Sequence, residues 1–461
     1  MVATVMTQEQ QVDVVVLGLG PGGEHLATEA ARAGLRVVGV EAHLVGGVCP
    51  YYGCIPSKMM LRAAGALAEA RRVGGLAGSA EAAPDWSAVA RRIREEATDD
   101  WDDGAAAQRL EDAGVTLVRG HGRLDGPGVV EVEGTRYVAR RGVVLNTGTT
   151  PGVLPVEGLE GTPFWTNRDA VRAEQAPASL LVVGGGPVGC ELAQTFARFG
   201  TRVTIVEGGD RLLSEDEPEA SDLLARSFAR DGIQVLLGTR LASVHHADGR
   251  FTATLEGPDD SFELDTDRLL IATGRTPNLP DIGLETVGLD PHAESVATDG
   301  YLRAGDRLWA LGDITGKGPY THVSMYQAGV ALRDVTGSGG PEASYHAVPR
   351  VTFTDPEVGA VGMTEREARD CGLDVRVASG GLGSRGWLHG PGGDGLVKVV
   401  EDRAAGHLVG ATSVGPTGGE VLSMLATAIH ARVPTDVLRE QVLAFPTFHR
   451  AVSAVLADLE G

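Results

Sequence analysis

Residues 46–58 run Gly46-Gly47-Val48-Cys49-Pro50-Tyr51-Tyr52-Gly53-Cys54-Ile55-Pro56-Ser57-Lys58, and the reading of the whole chain turns on them. The two cysteines follow a Gly-Gly turn and precede a helical run over residues 59–70. Such a pair closes a disulfide only where the backbone brings the Cα atoms within about 7 Å. A regular helix leaves them near that limit, so a distorted first turn is expected. Pro50 suits a first helical position, and Gly53 relaxes the backbone beside the second cysteine. A helix N-terminus and Lys58, one turn beyond Cys54, both favour a thiolate. Half a zinc site and two unrelated core cysteines are the competing readings. A structural zinc usually takes four ligands, and the other cysteines, Cys190 and Cys371, are distant in sequence. No metal is expected.

Upstream, residues 12–17 form a β-branched run suited to a buried strand. The turn Gly18-Leu19-Gly20-Pro21-Gly22-Gly23 follows, then a small-residue helix to about residue 33 and a second strand, 35–40, ending on Glu41. Gly18, Gly20 and Gly23, with an acid 18 residues after the third, make a dinucleotide-binding fingerprint. The glycines let backbone approach a pyrophosphate, the helix dipole favours its charge, and Glu41 suits a ribose diol. His25 is expected on the helix face. Downstream the pattern recurs. A strand at 180–183 leads into Gly184-Gly185-Gly186-Pro187-Val188-Gly189, a helix to 199, and a strand at 202–206 ending on Glu207. Two fingerprints imply two dinucleotides, and beside a reactive cysteine pair they imply electron relay. Glu207 can accept from a 2′-hydroxyl and repels a 2′-phosphate. NADH is therefore expected over NADPH, although Arg202 and Arg211 lie nearby.

The chain has 461 residues, enough for two to four domains with substantial cores. Hydrophobic residues make up 43%, which argues against disorder, and a net charge of −22 disfavours nucleic acid and anionic membrane surfaces. No run of 18 apolar residues suggests a membrane span. The leader, residues 1–11, has no basic region and no apolar core, so no signal peptide is expected. Four cysteines do not make a secreted disulfide framework. A cytoplasmic location is the expectation.

The cysteine stretch resembles the redox-active disulfide of the class I flavoprotein disulfide reductases, the family of dihydrolipoamide dehydrogenase, glutathione reductase and mercuric reductase. The shared pattern is Gly-Gly-x-Cys, three variable residues, then Gly-Cys-[Ile/Val]-Pro-[Ser/Lys]-Lys. Pro50, Tyr51 and Tyr52 fill the variable places. Further matches are Asn146-Thr147-Gly148, with Asn146 where the family has alanine, residues 271–278, Leu308 to Asp313, and landmarks from Pro349 to Pro416. The resemblance implies an α/β fold with two Rossmann-like dinucleotide-binding domains and a C-terminal α+β dimerisation domain, assembled as a homodimer. It assigns residues 1–150 and 279–344 to FAD, 151–278 to NAD(P) and 345–461 to the interface. By the same resemblance Cys54 faces the flavin as the charge-transfer thiolate and Cys49 is the interchange thiol. Lys58 pairs with Glu191 near the flavin. Gly47, His121, Thr147, Gly148 and Asp313 serve FAD, and Thr321 opens a helix whose dipole faces its ring. Val244 and Gly274 serve NAD.

The pattern breaks near the C-terminus. The family carries His-Pro-Thr-x-x-Glu, whose histidine, from the partner subunit, is the acid/base for the interchange thiol. This chain has Phe445-Pro446-Thr447-Phe448-His449-Arg450. A phenyl ring transfers no proton, and general acid/base catalysis contributes roughly 100- to 10,000-fold. A fast ordinary lipoamide or glutathione reductase is therefore not expected. Phenylalanine at this place is shared with 2-ketopropyl-coenzyme M oxidoreductase/carboxylase, which cleaves a thioether. That enzyme has histidine where Arg450 stands, so the resemblance to it is partial. His449 is a displaced base or a surface histidine at a helix start. The expected activity is transfer of electrons from NAD(P)H through FAD to the Cys49–Cys54 disulfide and on to a small atypical, anionic disulfide or electrophile. Thioether cleavage, direct quinone or dye reduction and a redox-sensing role without turnover are the alternatives. Mercuric reduction is disfavoured, because no cysteine pair lies near residues 458–461.

Overall fold

The computed structural model describes residues 8–460. Residues 1–7, most of the leader, and residue 461 lie outside them. The chain packs into two compact units.

The first unit comprises residues up to 56, 94–151 and 275–345. Its mixed sheet runs Arg303–Gly305, Leu308–Ala310, Thr135–Leu145, Gln8–Leu17, Val37–Glu41, Val115–Arg119, with parallel pairing from Leu308–Ala310 onward. Alternation sorts the first strand's side chains: Val14 and Val16 join one core cluster, Val15 and Leu17 the other. The helix Pro21–Arg32 crosses between the first two parallel strands and buries Leu26, Ala27 and Ala30. The first strand starts at Gln8, ahead of the apolar run at 12–17, because its polar leading residues pair with Thr135–Leu145. That pairing is non-local and leaves no hydrophobic mark on the sequence.

The cysteine stretch forms two helices rather than one distorted one. Val48–Tyr52 is a short helix capped by Gly47 at φ 67°, and the longer helix Cys54–Arg72 begins on the second cysteine. Pro50 therefore stands third in its helix instead of first. The break falls at Gly53 (φ −124°, ψ −117°), where an added Cβ would sit 3.3 Å from the Cys49 Cα.

The second unit comprises residues 57–93, 152–274 and from 346 onward. The interface segment and the Rossmann-like segment that the sequence reading separates thus fall in one compact unit. A parallel sheet runs Gln234–Leu237, Arg202–Glu207, Ser179–Val183, Arg268–Ile271, and the Ser179–Val183 strand is buried throughout. A five-stranded antiparallel sheet, Pro349–Thr352, Glu357–Gly362, His407–Gly415, Leu396–Asp402, Val375–Gly381, packs against the helices Gly418–His430 and His449–Ala457. Leu422, Leu425, Val452 and Leu456 fill that core. Among the described residues no helix is long and apolar enough to cross a membrane.

Candidate active site

In the first unit Cys49 and Cys54 are present as a pair of thiols, Cys49 half-buried and Cys54 exposed. The hydrogen bond to Cys54, and then burial, hold the Cys49 thiol far above the usual range; the Thr321 hydroxyl pulls the other way. Thr321 Oγ1 lies 3.4 Å from Cys54 Sγ, and Thr321 is the first residue of the helix Thr321–Thr336. A hydroxyl and a helix N-terminus thus both meet the thiols, and both favour a thiolate. Cys190 is buried and donates to the Gly185 carbonyl, and Cys371 is exposed at the end of the helix Glu365–Asp370; neither joins the pair. Among the described residues no group of three or more metal-ligating side chains gathers.

The two fingerprints have the same internal geometry. Gly18 and Gly184 adopt φ +92° and +111°, and a Cβ on either would lie 2.4 Å from a carbonyl oxygen of the adjoining turn. A Cβ on Gly23 or Gly189 would strike the carbonyl of the first glycine in its own motif, at 2.2 and 2.1 Å. Gly20 and Gly186 cap helices that carry proline in the first turn, where a missing N–H costs nothing. Glu41 accepts from the Leu19 and His43 N–H groups at 2.8 Å, and Glu207 from those of Gly185 and Gly209 at 2.6 Å. Each carboxylate ties its Gly-rich turn to its strand end and keeps lone pairs for a ribose hydroxyl. Two Gly-rich turns whose first and third glycines leave no room for a Cβ, each at a helix N-terminus with an acid at its rim, fit two dinucleotides.

The remaining first-unit candidates spread around this frame. Asn146 is buried, its amide 3.4 Å from the Gly18 carbonyl and its oxygen accepting from Ser324 at 3.3 Å. The side chain that departs from the family's alanine therefore ties the Gly-rich turn to the helix that touches the thiols. Asp313 accepts from Thr149 at 2.7 Å and lies 3.5 Å from Arg275. The Thr147 hydroxyl is committed to the Asn278 carbonyl at 2.8 Å, and Gly148 turns the chain at φ +66°. His121 is exposed, with Nε2 3.3 Å from the Asp281 carbonyl. His25 is half-buried on its helix.

In the second unit Lys58 Nζ meets both Glu191 oxygens, at 3.1 and 2.8 Å, and lies 4.6 Å over the Phe353 ring. Glu191 also accepts from the Phe353 N–H at 2.9 Å, and its side chain is only 7% exposed. The Phe353 contact joins residues far apart in sequence and has no local signal. Glu191→Ala removes the partner of a partly buried cation and strands a backbone N–H, so a loss of about 2 kcal/mol in unfolding free energy is expected. Denaturant melts measure it, and a loss below about 0.5 kcal/mol would mean that water screens the pair fully. Gly274 takes φ +132° and its carbonyl accepts from Gly152. Val244 points into the apolar core of this unit, and its N–H donates to the Glu157 carbonyl. Its carbonyl oxygen packs against Gly158, where an added Cβ would sit 2.0 Å from it.

The C-terminal candidates stay apart from these groups within their unit. Phe445 is 74% exposed, His449 begins the helix His449–Ala457, and Arg450 is exposed with Nη1 3.4 Å from Ser453 Oγ.

Comparison with known proteins covers nearly the whole chain. A family model described as pyridine nucleotide-disulphide oxidoreductase matches residues 12–331, and its dimerisation-domain counterpart matches residues 348–455. A dihydrolipoyl dehydrogenase of Chlorobaculum tepidum is 33% identical, covering 98% of both chains. A mercuric reductase of Acidithiobacillus ferrooxidans is 33% identical over 95% of this chain and 81% of its own. The crystal structure of LpdA from Mycobacterium tuberculosis superposes with a TM-score of 0.85 at 24% identity, over 97% of this chain and 100% of that one.

Proposed function

The chain belongs to the pyridine nucleotide-disulphide oxidoreductases, FAD-dependent enzymes that use NAD(H), and on that premise we propose that its Cys49–Cys54 pair takes two electrons from NADH and delivers them to an anionic disulfide or electrophile. The dimerisation domain makes it a homodimer. The observation that carries the reading is the hydrogen-bonded group of two thiols and Thr321, with Thr321 Oγ1 3.4 Å from Cys54 Sγ.

FAD, when bound, supplies the exchange of an electron pair between a nicotinamide and a disulfide. Gly18, Gly20, Gly23 and Glu41 are the residues to hold its pyrophosphate and ribose, with Gly47, Asp313 and Thr321 toward its other end. Gly184, Gly186, Gly189 and Glu207 are the residues to hold the nicotinamide dinucleotide. Once the pair is reduced to two thiols, each releases its proton to solvent as it attacks: Cys49 attacks one sulfur of the substrate and releases the first thiolate. Cys54 then attacks the Cys49 sulfur, releases the second, and closes the Cys49–Cys54 bond. Two electrons pass to the substrate, and its two thiolates take up two protons. In this chain Phe445 cannot deliver them, which disfavours a leaving group that needs protonation. Arg450 suits a substrate that carries negative charge.

The test is anaerobic addition of NADH to purified holoprotein followed by thiol alkylation. Two additional cysteines should become alkylated; an unchanged count, or protein that carries no flavin absorbance, would sink the reading. The same titration examines nucleotide choice. Arg211 donates to the Ser214 carbonyl at 2.6 Å and so is turned toward its own loop, while Glu207 accepts from the Gly185 N–H of the Gly-rich turn. A 2′-phosphate beside that carboxylate is penalised as a like-charge contact, so kcat/KM for NADH is expected to exceed that for NADPH by at least about tenfold. A ratio at or below one would show that Arg202 or Arg211 reaches the phosphate.

A further inference from the structure

Three consecutive residues that are not glycine, Asp99, Asp100 and Trp101, take left-handed backbone, with φ of 47°, 55° and 57°. Aspartate tolerates this region, but for a residue as bulky as tryptophan it is an outlier. Such a conformation persists only where surrounding bonds over-determine it. Here the Asp100 N–H donates to the Arg94 carbonyl at 2.6 Å and the Trp101 N–H to Thr98 Oγ1 at 3.3 Å.

The turn aims the indole at the segment between the two cysteines. Trp101 Nε1 donates to the Tyr51 carbonyl at 3.1 Å, and its ring stacks on Tyr52 with centroids 6.5 Å apart and planes 23° apart. Val48–Tyr52 is one short helix, and the last four carbonyls of a helix lack an intrahelical donor. The indole supplies one of the missing donors from a separate part of the chain. Two residues further on, Asp103 accepts from the Val45 N–H at 2.6 Å and is gripped by Arg119 at 2.6 and 2.8 Å. The segment 99–103 thus clasps the cysteine stretch on both sides of Cys49.

We propose that Trp101 is a positioning residue that holds the Cys49–Cys54 segment in the shape from which the two sulfurs bond. The inference rests on the dithiol reading above. Oxidation of the pair by glutathione disulfide is balanced as two protein thiols and one glutathione disulfide giving one protein disulfide and two glutathione thiols. A segment held closed keeps the two sulfurs at high effective concentration and favours the protein disulfide. Loosening it lowers the equilibrium constant.

The experiment equilibrates the holoprotein in glutathione buffers of graded ratio, quenches by alkylation and reads the oxidised fraction. Trp101→Phe keeps the ring and removes the N–H; Trp101→Ala removes both. The expected constant falls about tenfold for Trp101→Ala, a rise of about 30 mV in a two-electron couple, and by a smaller factor for Trp101→Phe. Both variants should keep the parent's flavin content, which separates the effect from misfolding. Should Trp101→Ala lose its flavin, Trp101→Phe alone decides. A constant within twofold of the parent in every flavin-loaded variant would overturn the proposal. A parent protein with no measurable thiol–disulfide couple would instead overturn the dithiol reading itself.

Discussion

Cys49→Ser protein is expected to lose NADH-dependent disulfide reduction by at least about 1,000-fold, the scale on which removing a covalent nucleophile acts. Serine keeps the size and the hydrogen-bonding capacity of the site but forms no disulfide. Cys54 and Thr321 remain in place, so binding of the dinucleotides should be untouched. The half-buried position of Cys49 also argues against gross destabilisation, since one sulfur is exchanged for one oxygen. Steady-state rates with a small disulfide and with a quinone, measured on the same preparation, give the test. If the variant retains either activity at a rate within about tenfold of the parent's, that reaction does not run through the cysteine pair. Retained quinone turnover with lost disulfide turnover would assign the two reactions to different parts of the enzyme.

The parts of this site that are legible in the sequence are those whose geometry is local. Gly23 and Gly189 announce themselves because a Cβ at each would collide with the carbonyl of the first glycine of its own motif. Glu41 and Glu207 are legible for the same reason: each closes back on the turn of its own βαβ unit. The Cys49 and Cys54 spacing speaks for itself, although the helix break at Gly53 does not. What escapes is whatever depends on residues far apart in sequence. Phe353 on Glu191, Ser324 on Asn146 and Trp101 on Tyr51 are each made by tertiary packing. None of them has a period, a cap or a turn residue to betray it. Asn146 is the intermediate case, since its departure from the family's alanine is visible but its role under the Gly-rich turn is not. The polar start of the first strand, from Gln8, is the fold-level counterpart, because pairing with Thr135–Leu145 outweighs poor strand composition.

A double variant, Phe445→His with Arg450→Glu, is expected to raise the rate of small-disulfide reduction by about 100-fold or more, the range that general acid/base catalysis supplies. The expectation rests on the proposed dimeric site, in which these positions face the Cys49 of the other subunit. Phe445 is 74% exposed within its own chain, so a histidine there replaces no core packing. Arg450 lies in the first turn of the helix His449–Ala457, where a cation opposes the helix dipole. A glutamate there is favoured by the dipole by roughly 0.3–1 kcal/mol, so the variant should melt no lower than the parent. A gain in rate would then report chemistry rather than altered folding. Phe445→His alone should gain less, because without a carboxylate at position 450 nothing is added to stabilise the imidazolium that must form when the new histidine takes a proton. Rates with lipoamide and with an anionic disulfide, measured for parent, single and double variants, decide the matter. Equal rates throughout would mean that these two positions do not govern proton delivery. A gain for lipoamide together with a loss for the anionic substrate would support a pocket in which Phe445 withholds protons and Arg450 selects charge.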